Sequence, residues 1–305
     1  MIPNQLALLR REIWEHRSLY VTPAVVALII SLMILTGYVF ASGYHGAVDV
    51  GIMAGQNMLG DAERRTALMA LLIGNTAVFM IAIGILTIFY CLDSLYAERK
   101  DKSILFWRSL PVTDAETVIS KLLTAAIVIQ LITFGAVIVS HLINMLLASI
   151  FVTIEGGRAG LLIWQSAPLF DVWAALFIIM LALPIWFSPF IGWFLFVSAW
   201  TKRSPLLTAF LPLVVVPMLE YFILRTHFIG QAIESRFSDF PLFKGIDPKV
   251  FFDEEAFIAR GDAVSLLGFV DLGKFLTSPA MWAGLVVTGL FITAAIYVRR
   301  YRDES

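Results

Sequence analysis

The chain has 305 residues, of which 59% are hydrophobic and only 15% charged, with a mean hydropathy of +0.85. A soluble globular domain carries about a quarter charged residues, so this composition excludes a soluble enzyme and points to an all-α polytopic membrane protein. The net charge of −1 says little, because in a membrane the placement of Lys and Arg matters more than their sum, and no nucleic-acid partner is expected. Cys91 is the sole cysteine, which rules out a disulfide framework and a cysteine-cluster metal site.

Residues 1–20 place Ile2, Leu6, Leu9 and Ile13 at helical spacing, with Arg10, Arg11, Glu12, Glu15 and Arg17 elsewhere around the helix. This predicts an amphipathic interfacial helix with Trp14 and Tyr20 at headgroup level. Residues 21–41 form the first apolar run, too long for a signal-peptide core and followed by no small-residue cleavage site. Five more spans are predicted at about 68–92, 122–151, 172–200, 205–224 and 279–298, each long enough to cross ~30 Å of hydrocarbon. Pro184 and Pro189 should interrupt the fourth span, and Pro212 and Pro217 the fifth.

Six spans put both termini on one side. Thirteen of the 22 Lys and Arg residues lie in the segments on that side, at more than twice the density of the other nine. The termini are therefore expected to face the cytoplasm of a cell with an inner (plasma) membrane of the bacterial kind. Trp14, Trp107 and Trp200 then fall at inner ends, and Trp164, Trp173 and Trp282 at outer ends. On the outer side, 42–67 carries five glycines and is expected to be loop with a short helix. The long acidic segment 225–278 is expected to have structure of its own.

The insert 95–121 is the longest charged segment on the inner side, and it changes character halfway. A polar exit through Glu98, Arg99, Lys100, Asp101 and Lys102 gives way to Ile104, Leu105, Phe106 and Trp107, with Arg108 beside them. Ser109-Leu110-Pro111 breaks that short helix, and Thr113 to Glu116 is spaced as a capping box for the next. Two readings of the apolar cluster stand: side chains lying in the membrane interface, or a knob docked into a partner protein. Lys202 and Arg203, in a very short turn on the same side, offer a second and smaller contact.

Signatures of catalysis are missing. There is no Gly-x-x-x-x-Gly-Lys-Ser/Thr, no His-Glu-x-x-His and no Gly-x-Ser-x-Gly, and His16, His45, His141 and His227 are scattered. The chain is thus expected to be neither an enzyme nor a holder of a metal or cofactor. Within the spans the ionisable and polar candidates are Glu220, near an outer end, Gln130, and the pair His141 and Asn144 sharing a helix face. The last three read as formers of interhelical hydrogen bonds rather than transport ligands.

Together, six spans, an amphipathic N-terminal helix, no nucleotide site and an amphipathic insert between spans two and three resemble the type-2 ABC exporter permeases. The local likeness is Glu98-Arg99, then Ser103-Ile104-Leu105-Phe106-Trp107-Arg108-Ser109-Leu110-Pro111, with Lys121 leading into span three. The resemblance implies a half-size permease subunit that works as a pair of permease chains in membrane lipid. Their coupling helices would dock on separate cytoplasmic ABC ATPase subunits, which hold the ATP and Mg. Ile104, Leu105, Phe106 and Trp107 would form the apolar knob, and Glu98, Arg99 and Arg108 the polar contacts. The competing readings are an ion-coupled secondary carrier, expected to need buried charges in mid-membrane, and a non-transporting scaffold or sensor. The transported substrate is not legible.

Overall fold

The computed structural model describes residues 2–43, 45–102, 112–243 and 265–301. The predicted apolar knob at Ile104, Leu105, Phe106 and Trp107, with Arg108, lies outside the described residues, as do residues 244–264 of the acidic outer segment.

Among the described residues the architecture is all-α, with six helices long and apolar enough to cross a membrane. Helix α1 (Ile2–Glu15) leads into α2 (Ser18–Ser42), and a short α3 (His45–Asn57) precedes α4 (Asp61–Lys100). The third span is α5 (Asp114–Ile154). Next come α6 (Leu169–Trp186), α7 (Ser188–Trp200), α8 (Pro205–Leu224), α9 (Phe228–Ser238), α10 (Leu272–Thr277) and α11 (Pro279–Tyr301).

Helix boundaries follow local chemistry. Thr113 Oγ1 accepts from Glu116 N at 3.1 Å and Glu116 Oε2 accepts from Thr113 N at 2.9 Å, so the predicted capping box starts α5. Helix α4 outruns its apolar segment at both ends. Asp61 and Glu63 suit its first turn and Arg99 and Lys100 its last, and no proline interrupts it.

The fourth span is two helices rather than one. The break falls at Phe187, between α6 and α7, because Pro189 in the first turn of α7 has no N–H to continue the ladder. Pro184, Pro212 and Pro217 are instead carried inside helices. A wider π turn follows Pro217 at Glu220–Leu224, and another lies at Thr124–Val128 in α5.

Two apolar layers fill the bundle. Near the end that carries α1, Leu19, Leu86, Cys91, Leu95, Val118, Ile129 and Leu195 pack together; toward the opposite end, Met69, Phe79, Val137, Val172, Trp186 and Phe275 do so. Helix α7 meets α11 so closely that a Cβ on Gly192 would lie 3.2 Å from Thr288 Cα. Most of α2 and α8 faces outward with apolar side chains such as Leu28, Met33, Leu211 and Val214, the surface a lipid bilayer covers.

Candidate functional site

At the α1 end, four sequence-distant elements converge on buried charge. Lys121, fully buried at the start of α5, lies 3.0 Å from Glu12 Oε1 and 3.0 Å from Glu98 Oε1. Arg11 reaches Glu12 at 3.0 Å and Glu98 at 2.9 Å. Arg299, near the end of α11, donates to Glu98 Oε2 at 2.7 Å and to Asp114 Oδ1 at 2.9 Å. Tyr90 OH donates to Glu12 Oε2 at 2.7 Å, and His16 stands edge-on to the Tyr90 ring. Three cations therefore serve three carboxylates, the condition under which buried ions are tolerated.

The electrostatics of α1 follow from this packing. Burial alone would raise the Glu12 pKa, but Lys121, Arg11 and the Tyr90 hydrogen bond outweigh it and hold it below the ordinary carboxylate value. Burial lowers the His16 pKa, which the nearby Glu12 only partly offsets, so the ring is neutral at pH 7. The outward polar face expected for α1 thus needs correcting at Glu12, which is 0% exposed. Trp14 does face outward, with Arg10 over its ring. Arg299, a charge that follows the last apolar run, is also buried, because Glu98 and Asp114 draw it inward.

Glu98 and Arg99, read from sequence as polar docking contacts, are engaged inside the chain. Glu98 is in the ion cluster. Arg99 Nη2 donates to Ser198 O at 2.6 Å and Thr201 O at 2.7 Å, satisfying carbonyls at the end of α7 that have no helical partner. Ser198 Oγ accepts from Leu95 N and Tyr96 N and donates to Leu92 O, while Tyr96 OH donates to Arg203 O at 2.9 Å. The turn holding Lys202 and Arg203 is thereby bolted to the end of α4, with both side chains exposed.

Of the in-membrane polar residues, His141 and Asn144 are interhelical stitches. Trp173 Nε1 donates to His141 Nδ1 at 3.1 Å, which leaves Nε2 as the protonated nitrogen, 3.1 Å from Leu72 O and 3.2 Å from Thr76 Oγ1. Asn144 accepts from Ser31 Oγ at 2.8 Å, joining α2 to α5, and donates to Ser140 Oγ at 3.2 Å. Gln130 is buried in α5 and joins neither stitch. Glu220 does not simply reach water at its outer end. It accepts from Thr226 Oγ1, Phe228 N and Ile229 N at 2.7–2.9 Å, capping α9 from a neighbouring helix.

Sequence reasoning missed the joining of Glu12, Lys121, Asp114 and Arg299. The available signal was that each is a charge on a helix flanking an apolar run, where burial without a partner would be expensive.

Apolar spans stitched by hydrogen bonds and tied at one end by buried ions define a multi-pass membrane protein. The family model for ABC-2 family transporter protein matches residues 66–223, about half of the chain. The chain therefore belongs to that family and is a transport membrane subunit of the ABC type. No curated protein and no solved structure matches it.

Proposed function

We propose that the chain is the membrane-spanning subunit of an ATP-driven exporter and works as a pair of permease chains with separate cytoplasmic ABC ATPase subunits. On this reading the partner holds ATP and Mg. Both termini and the insert face the cytoplasm, and the membrane is the plasma (inner) membrane. The apolar knob at Ile104, Leu105, Phe106 and Trp107, with Arg108, docks on the ATPase. Lys202 and Arg203 provide the second contact.

One observation carries the coupling reading. Within the insert, Arg299 bridges Glu98, before the apolar knob, to Asp114, after it, so a single guanidinium on α11 holds both flanks of the knob. Lys121 and Arg11 extend the tie to α1. A push on the insert would thus be delivered to four helices at once, and nucleotide binding supplies drive only through its unequal affinity for the two states of the assembly. Glu98 and Arg99 act here by positioning the insert and the 201–204 turn, not by touching the partner.

The test is a mild-detergent pull-down of the tagged chain, with an ATPase assay and transport in vesicles. A soluble ATPase should co-purify. Leu105→Ala with Trp107→Ala should cut coupled hydrolysis about tenfold or more, as loss of a buried apolar anchor does, with insertion unchanged. Recovery of the chain alone, or unchanged coupling in the double variant, would overturn the reading.

A further inference from the structure

Beside the ion cluster, a groove of about 540 Å³ opens on the outside of the bundle between the α1–α2 junction and α4. Ala82, Ile85, Phe89 and Asp93 line it at spacings of three and four, so they stack along one face of α4 over about 16 Å. Its floor is apolar for most of that length and anionic at the end nearest α1. Ile85 and Phe89 are more than half exposed, and Asp93 is exposed just past the apolar run. Among the described residues the Asp93 carboxylate makes no ion pair, and its electrostatic neighbour is His16. His16 lines the same end but is neutral, and Glu12 stands 3.6 Å behind it. The groove therefore carries one carboxylate, Asp93, at its head and greasy surface along its length. Its chemistry is complementary to a cation with an apolar tail.

We propose that this groove binds an amphipathic ammonium ion, its head at Asp93 and its aliphatic tail along Phe89, Ile85 and Ala82, entering sideways from the lipid. A zwitterionic or anionic head would bring a phosphate or sulfate against Asp93 and is disfavoured by the same charge. The site goes beyond the exporter reading, because binding needs neither ATP nor a partner subunit.

The full chain in phosphatidylglycerol nanodiscs is titrated with radiolabelled dodecyltrimethylammonium, and empty-disc uptake is subtracted. Saturable binding is expected. Asp93→Asn should weaken it about tenfold, Ile85→Trp should abolish it by filling the groove, and dodecyl sulfate should not compete. Both positions are exposed, so both variants should elute from gel filtration like the parent. Equal binding by the parent and Asp93→Asn, or equal competition by dodecyl sulfate, would reduce the groove to nonspecific apolar partitioning. Loss of the probe on adding phosphatidylethanolamine to the discs would make a bilayer lipid the occupant. Either result overturns the proposal.

Discussion

Lys121→Met tests whether the ion cluster holds the four helices together. The substitution keeps an unbranched side chain of similar length and removes only the charge, at a position with no exposed surface. Two carboxylates then lose a cation 3.0 Å away. At an effective dielectric of about 20, each such contact is worth roughly 5 kcal/mol gross. Most of that is offset by the desolvation of Lys121 itself, and breaking a buried pair from one side costs about 3–5 kcal/mol net. For a chain of this size that corresponds to a fall of about 5–8 °C in the thermal midpoint. Cys91, buried and the only cysteine, makes the assay simple, since a thiol-reactive dye lights up when the bundle opens. Adding Glu12→Gln should recover part of the loss, because two carboxylates then no longer share Arg11 and the cluster returns to matched charge. A midpoint within about 2 °C of the parent, or strictly additive losses in the double variant, would refute the cluster as a tie.

Other outcomes follow from the same geometry. Glu220→Ala should leave the bundle folded but remove the cap of α9, speeding hydrogen exchange at the Phe228 and Ile229 amides about tenfold, in keeping with the usual cost of a lost cap; unchanged protection would refute the capping role. His16 is lowered from 6.5 and Glu12 from 4.5 in the folded chain, so the unfolded chain binds more protons below each value. Thermal stability followed by tryptophan fluorescence should therefore hold near pH 7, decline below about 6.5 and drop further below about 4.5. His16→Phe should remove the first decline. In a Cys91→Ala background, a cysteine at Arg158 should react with an impermeant thiol reagent outside whole cells and one at Lys100 should not; the opposite pattern would invert the proposed orientation.

Much of the fold was legible because a bilayer imposes length and polarity one segment at a time. The apolar runs, the Thr113–Glu116 cap and the helical spacing of α1 are local patterns, and six apolar helices, the cap and an N-terminal helix are present. The fourth span shows the limit of local reading. Proline marked an interruption, but Pro184 is carried inside α6, while the chain breaks at Phe187 ahead of Pro189. Within the candidate site, His141 and Asn144 were recognisable as hydrogen-bonding groups from their shared face. Their partners Trp173, Leu72 and Ser31 sit on other helices, and no spacing rule names them.

By itself the sequence determined a six-span all-α membrane protein with a distinctive insert, since hydrophobicity and capping act within a few residues of one another. Only the tertiary structure decided which charges are solvated and which are buried. Glu12, Glu98, Lys121 and Arg299 look like ordinary flanking charges along the chain. Their meaning comes from four helix ends meeting in one place, where each ion is stable only because the others are there.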